Sequence, residues 1–511
     1  MSEADTLYSL LSRGAADAPA IMAPERPALT YAALRKLVAD TVGALNALGI
    51  GRNDRVGIVL PNGPEMATAF VAIAAGATTA PLNPAYRADE FDFYLSDLDA
   101  KALVVEAGST SPALEVARAR NIPVVTLEVA PGAPAGAFTL KGAAAGKAAR
   151  PGLAGADDIA LVLHTSGTTS RPKIVPLSQR NIAASARNIG ATLALTPADR
   201  CLNIMPLFHI HGLMAAVSAS LAAGASVCCT PGFNALKFFA WLDEARPSWY
   251  TAVPTMHQAI LARAERNAES VARARLRFIR SSSSSLAPQV MAELERVFRA
   301  PVIEAYGMTE AAHQMASNPL PPKARKPGSV GLPAGPDIAI MDEAGTLLPR
   351  GSTGEIVIRG ANVTLGYEAN AKANASAFTN GWFRTGDQGS MDAEGYLSLT
   401  GRLKEIINRG GEKISPREVD EVLMDHPAVA QALTFAMPHD KLGEEVAAVI
   451  VLREGKTATE REIREFAAKR LADFKVPRKI LFLDEIPKGA TGKLQRIGLH
   501  QKLADRLGAA S

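Results

Sequence analysis

Apolar runs with helical and strand periods alternate along the first part of this chain. After Thr30, apolar residues recur at three- and four-residue intervals until Gly49, which predicts an amphipathic helix. The continuously apolar run Val56–Leu60 follows and is typical of a buried strand. The pattern then repeats with helices at Glu65–Ala75, Ala88–Asp97 and Ala287–Phe298, and strands at Ala102–Val105, Pro123–Leu127, Ile159–Leu163, Cys201–Met205, Ser226–Thr230, Trp249–Val253, Arg277–Arg280 and Val302–Ala305. Strands that alternate with helices predict an α/β fold with a parallel, doubly wound sheet.

The pattern changes twice in the second half of the chain. Short runs bounded by Gly and Asp predict a small β-rich subdomain, at Ile338–Ile340, Gly354–Arg359, Trp382–Thr385 and Tyr396–Leu399. Capping boxes at Ser415–Glu418 and Thr459–Glu462 then predict helices that run to Met424 and Leu471. Strands are predicted around them at Val429–Ala436, Val446–Leu452 and Lys479–Leu483. We therefore predict a large N-terminal domain, residues 1–403, and a small, mobile α+β domain, residues 404–511, with a hinge near Lys404.

The segment Ala130–Ala156 shows neither the helical nor the strand pattern of apolar residues. It consists mostly of Ala, Gly and Pro with a few Lys and Arg residues. That composition favours a surface linker or a loose loop within the domain.

The composition is that of an ordinary globular protein. The chain has 511 residues, of which 48% are hydrophobic and 21% charged, with a net charge of +4. This charge is spread along the chain, so no nucleic-acid footprint stands out. Apolar runs such as Met66–Ala80 are too short to span a bilayer. The acidic start, Met1–Asp5, opposes a secretory signal, and the adjacent Cys228 and Cys229 favour a reducing compartment, so we expect a cytoplasmic protein.

A hydroxyl-rich turn, Leu163–Lys173 (LHTSGTTSRPK), follows a predicted strand and is called the phosphate loop below. Its hydroxyl-bearing residues before the proline include Thr165, Ser166, Thr168 and Thr169. These hydroxyls and the backbone N–H groups around Gly167 can donate hydrogen bonds to a polyphosphate, and Lys173 adds positive charge. The alternative is an ordinary Ser/Thr-rich turn with a solvated lysine. The Gly-Lys-Ser/Thr sequence of a Walker loop is absent.

Two more polar motifs follow predicted strands. Tyr306–Glu310 (YGMTE) begins where a strand ends, which is where open α/β sheets bind ligands. Tyr306 can stack on a base, Thr309 can bond a phosphate oxygen, and Glu310 can hold Mg²⁺. Thr385–Asp387 is interpreted as a turn after a strand, whose aspartate can accept hydrogen bonds from both ribose hydroxyls. Each motif alone is also compatible with an ordinary turn.

Three other segments are ambiguous by themselves. Ser281–Ser285 lies between a predicted strand and a predicted helix, where N–H groups and hydroxyls favour anions, so we interpret it as a pocket floor. Lys488–Lys493, the lysine loop, is flanked by glycines and can deliver Lys493, although a surface lysine is the usual case. His209 and His211 are spaced like a metal pair, but the absence of further ligands nearby favours two polar residues that line a pocket.

The order of these motifs is more informative than any one of them. TSGTTSRPK at 165–173, YGMTE at 306–310, TGD at 385–387, GRLK at 401–404 and GK at 492–493 resemble, in sequence order, the core motifs of the adenylate-forming superfamily. That group contains acyl-CoA synthetases, luciferases and peptide-synthetase adenylation domains, and the resemblance covers nearly the whole chain. Residues 280–288, 304–321 and 408–416 look most like oxalyl-CoA synthetases (oxalate–CoA ligases).

The chain also departs from the superfamily pattern. Ser170 replaces the usual second glycine of the phosphate loop, and Ile174-Val175 replaces a usual Gly-Val. The serine run at 281–285 replaces the Gly-Ala-Ala-Pro of coumarate ligases. The first two changes should leave the chemistry intact, whereas the serine run favours a small polar pocket over an aromatic one.

The resemblance implies a two-step reaction that uses ATP, Mg²⁺ and coenzyme A. A carboxylate attacks the α-phosphate to give an acyl-adenylate and pyrophosphate, and the CoA thiol then displaces AMP. The implied catalytic residues are Lys493, Thr309, Glu310 and His209, with Glu310 and Thr165 or Thr168 on the metal. The implied nucleotide-binding residues are Thr165, Ser166, Gly167, Thr168, Thr169, Lys173, Ser283, Glu304, Ala305, Tyr306, Gly307, Asp387 and Arg402. Rotation about Lys404 would then withdraw Lys493 and present a CoA loop formed by Arg409, Gly410, Gly411 and Lys413.

The expected acyl substrate is a small dicarboxylate, because a second buried carboxylate needs polar partners. The predicted partners are His209, Ser283, Ser284 and His313. Oxalate is favoured, and the alternatives are malonate or another short- or medium-chain acid, a luciferase-like monooxygenase, and a carrier-loading adenylation module or a pure binding protein. We expect a monomer or homodimer that binds no nucleic acid and no membrane.

Overall fold

The chain folds into two large α/β sheets, a small β-sheet and a C-terminal α+β unit. The computed structural model describes residues 5–143, 146–165, 172–487 and 494–508. Within these ranges, every helix is too short or too polar to cross a membrane.

The first large sheet is built mainly from parallel strands. Its described strands, in spatial order, are Thr139–Lys141, Val124–Glu128, Ala102–Glu106, Arg55–Val59, Thr78–Pro81, Ile159–His164 and Ile174–Ser178. The two edge strands pair antiparallel and the others parallel. The helices among and beside these strands are Leu7–Leu10, Tyr31–Ala47, Pro64–Ala74, Ala88–Asp97 and Ala113–Ala119. Thr30 caps the long second helix by accepting from the N–H of Ala33 at 3.3 Å, as its sequence position predicts.

The second large sheet has the same design. Its described strands, in spatial order, are Leu332–Pro333, His313–Ser317, Val302–Met308, Phe278–Ser281, Trp249–Ala252, Arg200–Asn203, Ser226–Cys229, Pro19–Ala23 and Arg26–Thr30. Its helices are Gln179–Thr192, a π-helix at His211–Ser218 continued by Ala219–Ala222, Phe238–Ala245, Pro254–Ala264, Ala268–Arg273 and Pro288–Phe298. The predicted doubly wound parallel architecture is confirmed, and the three cysteines are free and buried.

The prediction of a surface linker at Ala130–Ala156 is wrong for the first half of that segment. Phe138 and Ala135 are buried, and the Ala135 N–H donates to the Pro27 carbonyl at 2.8 Å. Strand Thr139–Lys141 then joins the edge of the first sheet. Gly136 contacts the helix at Pro64–Ala74 through Thr68 and Glu65, so a residue without a side chain makes part of this packing and the composition hides it.

The β-rich subdomain is confirmed, but one of its motifs lies in a strand. Its described strands are Asp337–Met341, Thr353–Arg359, Phe378–Thr379, Trp382–Met391 and Leu397–Arg402, and the helix Ala371–Ala377 precedes the third of them. Thr385–Asp387 was predicted to be a turn, yet it lies inside Trp382–Met391. Gly386 has a φ of 72°, and the pairing of the strand with its neighbour shifts register beside it. This irregularity within the strand contains the residue types of a turn, which explains the wrong prediction.

The C-terminal unit has its own apolar core. Its described strands are Ile407–Arg409, Glu412–Ile414, Val429–His439, Gly443–Leu452 and Lys479–Phe482, and its helices are Pro416–Met424, Glu460–Ala468, Leu499–Lys502 and Ala504–Gly508. The predicted capping box at Thr459 is complete, but its helix ends at Ala468 and not at Leu471. Ser415 also accepts from the Glu418 N–H, whereas the Glu418 carboxylate binds Lys475 and does not close a capping box.

Polar contacts join the C-terminal unit to the rest of the chain. The Arg417 guanidinium donates to the Leu399 and Gly328 carbonyls at 3.1 and 3.3 Å, and the Ser415 hydroxyl donates to the Thr400 carbonyl. The last strand before this unit ends at Arg402, and the first strand within it begins at Ile407. The chain segment around Lys404 therefore connects the β-rich subdomain to the C-terminal unit, and the hinge there stays a prediction.

Candidate active site

Tyr306, Asp387 and Arg402 meet although they come from three different strands. The Tyr306 hydroxyl donates a short hydrogen bond to Asp387, and the Arg402 Nε lies 3.4 Å from the other carboxylate oxygen. Burial, followed by the negative charge of Asp387, raises the pKa of Tyr306, so the phenol stays protonated. Asp387 raises the pKa of Arg402, which keeps the guanidinium charged. The three predicted nucleotide-binding residues thus form one polar group beside the end of the YGMTE strand.

Glu310 lies next to this group, beneath the end of the phosphate loop. Its carboxylate accepts a hydrogen bond from the Tyr367 hydroxyl at 2.8 Å, and the Lys173 ammonium lies 4.2 Å from the Tyr367 ring centre. The Thr165 hydroxyl accepts from the Lys173 backbone N–H at 3.2 Å. Burial raises the pKa of Glu310, so a cation nearby would stabilise its charged form.

Glu304 has a buried carboxyl group and lies near the start of strand Val302–Met308, which also contains Tyr306. One of its oxygens accepts from the Leu286 N–H at 3.0 Å, and the other has no hydrogen-bond partner within the described residues. Burial raises its pKa to about 7, against the opposing effect of the Arg417 charge. Nearby, the Ala305 carbonyl accepts from the Ser282 hydroxyl at 2.9 Å, which ties the serine run to this strand.

His211, Ser283 and His313 form a compact polar group that we call the acyl cluster. The His211 Nδ1 lies 3.0 Å from the Ser283 hydroxyl, and the imidazoles of His211 and His313 stack with ring centres 4.8 Å apart. Ser283 and His313 have φ angles of 74° and 94°, a region that L residues rarely adopt. The tertiary fold therefore holds both residues in unusual backbone conformations, with their side chains beside His211.

Gly307 is what permits His313 to approach the YGMTE strand. A Cβ atom at position 307 would lie 1.7 Å from the His313 carbonyl oxygen, far inside van der Waals contact. Gly307 thus has a steric role, next to the short 3₁₀ turn Thr309–Ala311 that carries Thr309 and Glu310.

The other two predicted acyl-site residues occupy different positions. His209 is half-buried, and its Nδ1 accepts the backbone N–H of His211 at 3.3 Å. Ser284 is exposed, and its hydroxyl donates to the Ser283 carbonyl at 2.9 Å. In the His-x-His segment, His211 contacts the serine run through Ser283.

The predicted CoA loop lies at a hairpin of the C-terminal unit. Gly410 and Gly411 have φ angles of 59° and 100° and form its turn. Arg409 pairs with Glu445 through contacts of 2.6 and 3.0 Å, and Lys413 is exposed.

Several predicted site residues lie outside the described residues. They are Ser166, Gly167, Thr168 and Thr169 of the phosphate loop, and Lys493. The region that follows the lysine loop is described. Arg496 there pairs with Asp420 at 2.7 Å and with Glu405 at 3.5 Å.

Four residues in or beside the acyl cluster carry little signal in the sequence. His211 was noted only as half of a His-x-His pair, and Arg280 only as part of a motif. Thr251 and Gln314 carry no local signal, because each is an ordinary polar residue in a strand. Thr251, Arg280 and Gln314 come near one another only through the pairing of four consecutive strands of the second sheet, and His211 reaches them from the π-helix.

Two family models match most of the chain. A model described as AMP-binding enzyme matches residues 12–368, and one described as AMP-binding enzyme C-terminal domain matches residues 418–493. The chain belongs to the AMP-binding enzyme family.

Individual relatives match over almost the full length. The chain is 46% identical over 508 residues to the oxalate–CoA ligase of Arabidopsis thaliana, covering 97% of this chain and 98% of that protein. It is 44% identical over 470 residues to the oxalate–CoA ligase of Saccharomyces cerevisiae, covering 87% and 86%. The ATP-bound structure of MatB from Rhodopseudomonas palustris superimposes with a TM-score of 0.87 at 30% identity, covering 99% of this chain and 100% of that one. The predicted adenylate-forming fold and CoA ligase class are confirmed.

Proposed function

We propose that this enzyme is an ATP-dependent oxalate–CoA ligase. It would convert oxalate, ATP and CoA into oxalyl-CoA, AMP and pyrophosphate. The observation that carries the choice of acid is the acyl cluster, where His211, Ser283 and His313 place polar groups at the position predicted for the acyl group. A buried second carboxylate requires such hydrogen-bond donors, whereas an aryl or fatty acyl chain would be destabilised beside them. The two oxalate–CoA ligases among the relatives support the same choice.

In the first step, a carboxylate oxygen of oxalate would attack the α-phosphorus of ATP, and pyrophosphate would leave. Asp387 accepts from Tyr306 and pairs with Arg402, an arrangement that suits hydrogen bonding to the ribose hydroxyls. The phosphate loop and Lys173 would hold the β- and γ-phosphates. Lys493 would offset the negative charge that develops as the carboxylate meets the phosphate.

The residues near Glu310 fit Mg²⁺, because Glu310 is a buried carboxylate with no Lys or Arg at ion-pair distance within the described residues. The described residues contain no group of three Asp, Glu, His or Cys side chains that could hold a metal ion by themselves. Mg²⁺ in nucleotide sites commonly uses only one or two protein oxygens, and phosphate oxygens supply other ligands. Glu310 and Thr165 or Thr168 would hold the ion, which would neutralise phosphate charge.

In the second step, the CoA thiol would attack the acyl carbonyl and displace AMP. We propose that the C-terminal unit first rotates about Lys404, which takes Lys493 away and brings the CoA loop inward. Within the described residues, hydrogen bonds made by the side chains of Arg417, Ser415, Gln258 and Gln289 hold the unit in its present orientation, and such a rotation would break them. The CoA loop offers an exposed lysine, Lys413, as a positive charge for phosphates, beside a glycine turn in which the Gly410 N–H donates to the Leu442 carbonyl at 2.9 Å.

A substrate panel tests the function. Pyrophosphate release is measured with mono- and dicarboxylates of two to six carbons, each with and without CoA. We expect oxalate to give the highest kcat/KM and CoA to be needed for sustained turnover. A higher kcat/KM for malonate would move the assignment to that acid, and a preference for a medium-chain or aromatic acid would refute the polar-pocket argument. Light emission or O₂ uptake would instead indicate the monooxygenase alternative.

The role of Lys493 has a separate test. Lys493→Ala should abolish adenylation but leave thioester formation from supplied oxalyl-AMP nearly unchanged. Lys413→Ala is the matched variant, since it should affect only the second reaction. Equal loss of both reactions in Lys493→Ala would contradict its assignment to the first step.

A further inference from the structure

Arg280 is a buried cation behind the acyl cluster. It lies in strand Phe278–Ser281 and is fully buried, and no carboxylate lies within ion-pair distance of it in the described ranges. Burial lowers its pKa to about 9, so it remains positively charged at neutral pH. An unpaired buried charge is costly, so a bound anion on the side of the acyl cluster would stabilise it.

Within the described residues, the acceptors of the Arg280 guanidinium are two side-chain oxygens and one imidazole nitrogen. Its Nη1 lies 3.4 Å from both the Thr251 hydroxyl and the His211 Nε2, and its Nη2 lies 3.3 Å from the Gln314 side-chain oxygen. The Gln314 amide is oriented because its NH₂ group donates to the Ala334 carbonyl at 3.1 Å. The guanidinium therefore has a fixed position against one edge of the His211 ring.

These contacts set the direction of the hydrogen bonds. A guanidinium can only donate, so Thr251 and the His211 Nε2 must both act as acceptors toward Arg280. The Thr251 hydroxyl, 2.6 Å from Nε2, then donates its own hydrogen to that nitrogen. A proton on Nε2 would place that N–H group against the N–H group of Arg280, so we assign the His211 proton to Nδ1.

The direction continues to Ser283, the least buried member of the cluster. The His211 Nδ1–H donates to the Ser283 oxygen at 3.0 Å, which leaves the hydroxyl hydrogen of Ser283 to be donated elsewhere. The His211 ring also stacks on His313 with ring centres 4.8 Å apart, and the His211 backbone N–H donates to His209. The chain of donors thus runs in one direction, from Arg280 through Thr251 and His211 to Ser283.

We propose that Arg280 is a positioning residue that, through Thr251 and His211, aims the Ser283 hydroxyl at an anionic oxygen of the acid and so favours acids with a second carboxylate. This proposal rests on the proposed function, because it assigns the acyl cluster to the acid. Bonds in such a chain polarise one another in the same sense, which strengthens the last donor.

Thr251 offers the cleanest test, because its substitution keeps the buried cation. Thr251→Val removes the hydroxyl at nearly constant volume, and Thr251→Ser retains it. We expect Thr251→Val to raise the KM for oxalate by about 10-fold, the effect of one hydrogen bond to a charged group, with the KM for ATP unchanged. Thr251→Ser should restore a KM within about threefold of the wild-type value, since the donor chain is intact.

Arg280→Gln and Arg280→Lys test the charge itself. Arg280→Gln should raise the KM for oxalate at least as much as Thr251→Val does, and Arg280→Lys should restore part of it. Arg275→Gln is the control, because Arg275 is exposed and donates only to carbonyls of its own loop. If Arg280→Gln fails to fold, the Thr251 pair still decides the question.

A tautomer measurement gives an independent readout. In the ¹⁵N spectrum of histidine-labelled enzyme, with His211 assigned by its loss in His211→Gln, the wild type should show the Nδ1–H form. An Nε2–H signal in the wild type would overturn the donor direction. Equal KM values in Thr251→Val and Thr251→Ser, or parallel changes in the KM for ATP, would refute the positioning role.

Failure of the proposed function can be told apart from failure of this proposal. If the wild type prefers another acid, the Thr251 pair is measured with that acid. If the KM for that acid still differs between Thr251→Val and Thr251→Ser, the chain of donors is supported and oxalate is refuted as the preferred acid. Preference for an acid without a second acceptor group would refute both.

Discussion

Glu304→Gln should make the protein more stable at alkaline pH and leave its stability unchanged at acidic pH. Glu304 is buried, and burial raises its pKa from 4.5 to about 7. The folded protein therefore keeps this proton at pH values where the unfolded chain has lost it. Since the unfolded state binds fewer protons in this window, stability falls as the pH rises from about 5 to above 7.

The size of the effect follows from the pKa difference. The interval between 4.5 and about 7 corresponds to about 3 kcal/mol of unfolding free energy lost above pH 7. Glutamine keeps the oxygen that accepts from the Leu286 N–H, and it carries no charge at any pH. For a folded unit of roughly 400 residues, about 3 kcal/mol corresponds to about 4 °C in Tm.

The assay is a series of thermal unfolding curves from pH 5 to pH 9 at one heating rate, because large proteins often unfold irreversibly. The Tm values of the wild type and of Glu304→Gln should coincide near pH 5 and differ by about 4 °C at pH 8.5, with Gln higher. Glu343→Gln, at an exposed position, should match the wild type throughout. A difference that does not change with pH, or a wild type more stable than the variant above pH 7, would refute the reasoning.

Three further substitutions test other parts of the site. Asp387→Asn removes the charge that pairs with Arg402, so the KM for ATP should rise by about 10- to 100-fold in steady-state assays while the KM for CoA stays constant. Arg496→Met leaves two carboxylates without their partner and frees the residues after the lysine loop, so acyl-AMP formation measured in single turnover should slow by about 10-fold. Gly307→Ala places a methyl group against the His313 carbonyl, so turnover of oxalate should be lost, and wild-type turnover would contradict the steric role.

The repeated pattern of apolar runs predicted the large sheets well, because buried parallel strands read as continuous apolar segments. Helix Ala88–Asp97 and the helix end at Met424 have the predicted bounds. The strand predicted at Trp382–Thr385 continues to Met391, and this continuation was missed because Gly386 adopts a positive φ inside the ladder. Only the neighbouring strands reveal that the segment is paired.

The candidate site was predictable to the extent that its residues follow strands in the chain. Tyr306, Glu310 and Asp387 carry local motifs and lie close together in the fold. His211 and Arg280 could not be ranked above their neighbours, since their importance depends on partners that only sheet pairing brings near. The tautomer and the direction of the hydrogen bonds also require the position of a guanidinium, which the order of residues does not specify.

The central claim is that the acyl cluster selects oxalate, and a competition assay tests it most directly. Equal concentrations of oxalate, malonate, acetate and hexanoate are offered together with ATP, Mg²⁺ and limiting CoA, and the thioesters are quantified by mass spectrometry. Oxalyl-CoA should be the main product, and its excess should fall in Thr251→Val but not in Thr251→Ser. A mixture dominated by acetyl-CoA or hexanoyl-CoA would contradict the claim, because neither acid has a second carboxylate to accept the hydrogen bond of the Ser283 hydroxyl.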